Sequence, residues 1–264
     1  MAYHEILTKL PEGDPTFQPC FVFSVHKCGS TMLHSMIEQV AKVAALPATS
    51  IPNELFHYGI FEPEWERDPN ILPYFQKRML YYGFRTLPPV LTDPSIALRH
   101  RRFVLLVRDP RDALVSQYFS FGTKSGSHRL PSKYPEAFKK ILSATDELPI
   151  DEYVLTAASN LREKLQAYRD ALNFDLGLLW RYEDAYFDKR GLLEDTFAHL
   201  GVEVDPSILN SVAQLADIRP EMEDPTKHIR KGTPGDHQEK LRPETIAELN
   251  EVFRDVGRFY GYVL

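Results

Sequence analysis

Four short apolar runs constrain what this chain can fold into. CFVFSV (20–25), YYGFRT (81–86), FVLLV (103–107) and DLGLLW (175–180) have the length of strands, and none alternates polar with apolar as a half-solvated strand does. Between them lie stretches of helical periodicity, so strand and helix take turns along the chain. Strands that are apolar on both faces need cover on both faces. The expected fold is therefore α/β: three layers, with a mostly parallel central sheet and helices on either side.

The clearest helix follows the first run. After Ser30, the residues Met32, Leu33, Met36, Ile37, Val40, Val43 and Ala44 fall on one stripe, with His34, Glu38 and Lys42 opposite. Further helices are expected over Asp112–Phe121, Ile150–Leu172, Gly191–Leu200, Pro206–Ala216 and Pro243–Tyr260. Two stretches break the alternation: 47–75, rich in proline and aromatic residues, and 121–135, rich in Gly, Ser and Lys. Such insertions on an α/β scaffold either carry substrate contacts or serve as plain surface connections. A chain of 264 residues that is 43% hydrophobic can bury one large core, so one domain spanning 1–264 is expected.

The formal net charge is −6, which excludes the global basic excess behind non-specific nucleic-acid binding. Any bound anion must be held by a local cluster. No run approaches the roughly eighteen apolar residues of a membrane span, and MAYHEILTKLPEGD lacks the sections of a signal peptide. Cys20 and Cys28 are the only cysteines, and no Asn-x-Ser/Thr sequon occurs. A cytoplasmic protein with reduced thiols is expected.

Three clusters carry anion chemistry. HKCGSTML (26–33) sits between the first strand and its helix: Gly29 allows close backbone approach, Ser30 and Thr31 stand where the helix begins, and Lys27 adds a full charge. A helix N-terminus with hydroxyls is a phosphate site. FVLLVRDPRDALVSQYFSF puts Arg108 at a strand end and Ser116 two turns into the next helix, where both can face one phosphate. HIRKGTPGDHQEKL (228–241) joins Arg230 and Lys231 to Gly232, a basic, turn-prone stretch in an acidic chain. Each cluster alone also fits a blander account: a capped helix, a capping salt bridge, an exposed loop. A kinase loop for ATP reads G-x-x-x-x-G-K-[ST]; here the first glycine is missing and the lysine precedes Gly29.

Taken together, the clusters resemble the sulfotransferase family that uses 3′-phosphoadenosine 5′-phosphosulfate (PAPS). The matching elements are Lys27-Cys28-Gly29-Ser30-Thr31, Arg108 with Ser116, Arg230-Lys231-Gly232-Thr233-Pro234-Gly235-Asp236, and RYED at 181–184. The resemblance runs from about residue 20 to the C-terminus. It implies a P-loop NTPase-like sulfotransferase fold and PAPS as co-substrate, with no metal. By it, Lys27, Ser30 and Thr31 grip the 5′-phosphosulfate within a loop completed by Cys28, Gly29 and Met32. Arg108, Ser116, Arg230, Lys231 and Gly232 hold the 3′-phosphate, and Tyr182 lies near adenine.

The sequence departs from the family at two places. Met32 stands where cytosolic members often have a Trp that stacks on adenine. Thr86, in Arg85-Thr86-Leu87-Pro88, stands where they carry a catalytic His, and an unactivated hydroxyl is no base near neutral pH. Glu54 and His57 are the leading candidates for the base, with His26 third. The acceptor is expected to be a hydroxyl on a small molecule, lipid or glycan, and the aromatics of 47–75 favour an apolar or ring-bearing one. No dimer motif of the Lys-Thr-Val-Glu type is present, so a monomer is the expectation. A kinase using ATP and a non-catalytic nucleotide-binding module are the competing readings.

Overall fold

Five parallel strands, β1 (Cys20–Ser24), β2 (Ala48–Thr49), β3 (Leu80–Phe84), β4 (Phe103–Val107) and β5 (Gly177–Arg181), pair in the order β2-β3-β1-β4-β5. The computed structural model describes residues 3–121, 148–220, 222–224 and 230–264. Beyond Phe121, the insertion expected at 121–135 lies outside the described residues. From β1 the chain moves to one side of the sheet for β2 and β3, then crosses to the other for β4 and β5. The strand order thus reverses between β1 and β4, and the crevice outside their C-terminal ends is where such sheets take ligands.

The chain divides into two compact units, Met1–Val107 with Ala167–Asp217, and Arg108–Gln166 with Ile218–Leu264. The first holds the sheet, and side-chain alternation along β1 shows why the apolar runs are continuous. Cys20 and Val22 face a core shared with Leu33, Met36, Ile37 and Val40, and with Leu193, Phe197 and Val212 beyond them. Phe21 and Phe23 point the other way, into a ring cluster with Tyr81, Phe84 and Tyr168 whose centroids lie 5.2 to 6.2 Å apart. Burying such a side chain is worth about 1.5–3 kcal/mol.

The first three helices of this unit are α1 (Tyr3–Leu7), α2 (Ser30–Val43) and α3 (Ile51–His57). The stripe expected on α2 is corrected in two places: His34 is 2% exposed, and Val43 is 63% exposed. The buried face is rotated from the expected stripe: Ser30, His34 and Ala41 share it with Leu33, Ile37 and Val40, whereas Met32 and Val43 lie on the other edge and are not buried. Residues 47–75 hold β2, α3 and two one-turn helices, α4 (Glu62–Trp65) and α5 (Leu72–Phe75), and Trp65 and Phe75 are buried there. Part of the aromatic content of this insertion is therefore core.

The second unit is helical in its described residues. α6 (Pro110–Phe121) begins two residues earlier than expected, because proline suits a first helical position. Helix Pro243–Phe259 buries Leu249, Phe253 and Val256, and the hydroxyl of the following Tyr260 donates to the Leu165 carbonyl at 2.8 Å. Among the described residues no helix is long and apolar enough to cross a membrane.

Candidate active site

The segment after β1 is built to present a helix N-terminus. Val25 N–H donates to the Leu106 carbonyl at 3.2 Å, so the chain is still tied to β4 there. It then turns sharply: Cys28 N–H donates back to the Val25 carbonyl at 3.0 Å, and Lys27 and Gly29 both take left-handed φ angles, 65° and 87°. For lysine this conformation costs energy, and such strain is tolerated where a loop is over-determined by its surroundings. α2 starts at Ser30 with no side-chain cap at Gly29 and no acidic residue in its first turn. A helix N-terminus of this kind is chemically suited to receiving an anion. Ser30 is buried and Thr31 is exposed.

Gly29 has a second reason to be glycine. A Cβ there would stand 2.6 Å from Cδ2 of Tyr182 and 3.4 Å from Cδ2 of Leu106. Tyr182 opens the short helix Tyr182–Ala185 directly after β5, and its ring is buried. The structure thus brings the RYED element onto the loop. Met32 is half-buried on α2.

The end of β3 departs from the expected strand over 81–86. Phe21 pairs with Tyr81 but Phe23 with Phe84, so β3 carries a bulge, and Gly83 within it has φ 97°. Bulges re-aim the residues after them and are common beside active sites. A Cβ on Gly83 would sit 1.9 Å from the Ser50 hydroxyl, which caps α3 by accepting from Asn53 N–H at 3.2 Å. Arg85 then reaches back, its Nη1 donating to Asn53 Oδ1 and to the Gly83 carbonyl, each at 3.3 Å. Asn53 precedes Glu54, and Arg85 precedes Thr86. The helix with both leading base candidates is thereby fastened beside the position where the family's histidine is missing. Glu54 and His57 are exposed.

Tyr82 and His34 lie behind this corner. Burial pushes the Tyr82 phenol well above its ordinary range, and the Glu38 and Glu54 carboxylates add to the shift. Burial pushes the His34 imidazole down to about 3, with the Arg85 charge adding, and neither ring nitrogen has a hydrogen-bond partner. Its ring centroid is 6.5 Å from that of Tyr82. His34 is therefore neutral at physiological pH. Sequence reasoning singles out His26, Glu54 and His57 as base candidates; this buried imidazole is not among them.

In the second unit Arg108 lies 3.6 Å from Asp112, and Asp109 caps α6, taking both Arg111 N–H (2.9 Å) and a two-pronged guanidinium contact from Arg111 (3.0 and 2.6 Å). Ser116 is half-buried two turns along α6. The Arg230 guanidinium stacks over Phe119 of the same helix, 4.1 Å from its centroid, and pairs with Glu223 and Asp236. Lys231 Nζ donates to Asp236 at 3.3 Å and to Glu239 at 2.7 Å. Gly232 adopts φ 76° between these cations and the turn at Gly235.

Asp112 is a buried carboxylate beside these cations that the sequence did not single out. It is 1% exposed and accepts from Gly235 N–H (2.6 Å), His237 N–H (2.9 Å) and His237 Nδ1 (2.6 Å). Burial would raise its carboxyl. The His237 side chain, the Arg108 charge and the two backbone N–H groups outweigh burial and hold it well below the usual carboxylate range. Its spacing of four from Arg108 was visible in RDPRD, but its partners at 235 and 237 were not.

Residues 18–259 match the sulfotransferase domain. The chain belongs to the sulfotransferase family. Like other members it is a PAPS-dependent enzyme, PAPS serving as the sulfuryl donor. Among solved structures, this sulfotransferase is similar to mouse sulfotransferase SULT7A1 complexed with PAP, with a TM-score of 0.59 and 19% identity, over 98% of this chain and 91% of that one. At that identity the likeness is one of fold. Retinol dehydratase in complex with androsterone and inactive cofactor PAP aligns with a TM-score of 0.48 at 14% identity over 99% and 86% of the two chains. A sulfotransferase from Alicyclobacillus acidocaldarius aligns at 0.47 and 14%, over 94% and 97%. No curated protein matches the sequence. Among the described residues of this sulfotransferase, no group of three or more His, Cys, Asp or Glu is placed to hold a metal ion.

Proposed function

We propose that this enzyme transfers the sulfuryl group of PAPS to a hydroxyl of a small apolar or ring-bearing acceptor. The observation that carries the reading is the α2 N-terminus, which has no side-chain cap and no first-turn acid and follows a loop strained at Lys27. It supports Lys27, Ser30 and Thr31 as the grip on the 5′-phosphosulfate, with Cys28, Gly29 and Met32 shaping the loop. Arg108, Ser116, Arg230, Lys231 and Gly232 hold the 3′-phosphate. Tyr182, packed on Gly29, sets the loop from beneath and lies near the adenine.

Sulfuryl transfer passes through a loose, in-line transition state, so positioning and charge stabilisation supply most of the acceleration. When bound, PAPS supplies an activated sulfuryl group on a phosphate leaving group. Lys27 neutralises the charge that grows on the leaving phosphate oxygen. Ser30, Thr31 and the helix N-terminus hold that phosphate through the change. Glu54 or His57, exposed on α3, takes the proton of the acceptor hydroxyl. Phe56 and Tyr58, 39% and 49% exposed on the same stretch, favour an apolar or ring-bearing acceptor.

Calorimetric titration with adenosine 3′,5′-bisphosphate, beside ATP with magnesium and beside AMP, tests the nucleotide half of the reading. Tight binding of the bisphosphate alone is expected, and a preference for ATP would overturn it. Radiolabelled transfer from PAPS to phenols, sterols, glycans and charged sugars tests the acceptor half. Transfer confined to the sugars and glycans would overturn the apolar acceptor and leave the donor site standing.

A further inference from the structure

We propose that Asp112 is a positioning residue for the 3′-phosphate site, holding the basic segment Arg230–His237 in place from α6. The inference rests on the proposed assignment of Arg108, Arg230 and Lys231 to that phosphate. A carboxylate this deeply buried is costly unless its lone pairs are filled, and here they are filled from two directions. On one side stands Arg108, at 3.6 Å. On the other are Gly235 N–H, His237 N–H and His237 Nδ1, at 2.6, 2.9 and 2.6 Å. The residues it grips flank Asp236 on both sides.

Asp236 is the next link. It is buried, and it pairs with both Arg230 and Lys231. Fixing Gly235 and His237 fixes Asp236, and Asp236 sets where the two cations stand. Gly235 takes φ 89°, and a Cβ there would meet nothing within 4 Å. The glycine is needed for the conformation that turns its N–H to Asp112, and not for space. One carboxylate thus couples a guanidinium at the end of β4 to two cations more than a hundred residues later, as the separation of 125 between Asp112 and His237 shows. Asp112 touches no nucleotide in this scheme; it acts through the groups that do.

The test uses the full-length enzyme and the variants Asp112→Asn, His237→Phe and Arg230→Ala. Affinities for adenosine 3′,5′-bisphosphate and for AMP, which lacks the 3′-phosphate, are read by calorimetry, and thermal stability is read alongside. Asp112→Asn is expected to weaken the bisphosphate about 10- to 100-fold while AMP affinity stays within about threefold, and to raise KM for PAPS more than it lowers kcat. His237→Phe removes only the Nδ1 contact and is expected to give a smaller loss of the same selectivity, and it decides the matter if Asp112→Asn fails to fold. Equal losses for both nucleotides, or no loss in a folded variant, would overturn the proposal. Arg230→Ala separates the two levels. If it leaves the preference for bisphosphate over AMP unchanged, the phosphate assignment itself fails; if it abolishes that preference while the Asp112 and His237 variants keep it, only the positioning role fails.

Discussion

Tyr182 lies so close to Gly29 that a methyl group on the glycine would stand 2.6 Å from its Cδ2. Gly29 also has φ 87°, which an L side chain rarely adopts. Gly29→Ala meets both obstacles at once. The variant is expected to lose about 1–3 kcal/mol of stability, read as a lower urea midpoint, and to bind adenosine 3′,5′-bisphosphate more weakly. Adding Tyr182→Leu to Gly29→Ala should restore part of the stability by removing the steric obstacle and none of the backbone cost. An unchanged midpoint in the single variant would refute the close packing.

Lys27 is expected to act on the transition state more than on ground-state binding. Lys27→Ala should lower kcat about 100- to 1,000-fold, the usual loss of one charge-stabilising donor, while the dissociation constant of the bisphosphate moves by less than about fivefold. Steady-state kinetics and calorimetry on one preparation check this. Equal losses in the two quantities would make Lys27 a binding residue only.

The base is expected on α3, which Asn53 fastens to Arg85 at 3.3 Å. Glu54→Gln and His57→Asn keep size and remove proton affinity. One of them is expected to lower kcat about 100- to 10,000-fold with nucleotide affinity unchanged, and Arg85→Ala should lower kcat by a smaller factor through loss of positioning. Full activity in both single variants would return the search to His26.

His34 gives the fold an acid-side weakness. Its folded-state pKa is pushed down to about 3 by burial, whereas an unfolded histidine titrates near 6.5. Between these values the unfolded chain binds a proton that the folded chain refuses. Stability is therefore full above about pH 6.5 and falls as the pH drops towards 3, by up to about 1.4 kcal/mol per pH unit from this group. His34→Leu should flatten that slope and leave stability at pH 7 equal or higher, since two unpartnered ring nitrogens are removed. Urea midpoints at pH 7 and pH 5 decide it: an identical pH dependence in both proteins would contradict the burial of this imidazole.

Much of the scaffold was legible because the sheet is covered on both faces. FVLLV is β4 residue for residue, and CFVFSV, YYGFRT and DLGLLW each contain most of a strand. β2 has two residues, too few for any periodicity to register. YYGFRT runs two residues past the end of β3 because the bulge at Gly83 is a pairing irregularity, and pairing needs the partner strand. A helical wheel drawn on the apolar residues puts His34 on the wetter face of α2, since residue types alone do not show that the buried face is turned towards Ser30, His34 and Ala41. At the site, Lys27 to Thr31 could be read because residue types alone announce a helix N-terminus after a strand. Asp112, Gly235 and His237 could not, since nothing local marks a contact across such a separation. The pairing of Asn53 with Arg85 escapes the sequence for the same reason.

The position of β1 in the middle of the sheet also sets an order of events at the ribosome. Phe21 pairs with Tyr81 and with Phe103, so both neighbours are made after it. At synthesis rates of about 5–20 residues per second, roughly four to sixteen seconds separate Phe21 from Phe103. For that interval the nascent chain carries an apolar ribbon with at least one open edge, and crossovers, unlike hairpins, offer it no early partner. β1, which leads into α2, is thus the strand left longest with an open edge while the enzyme is being made.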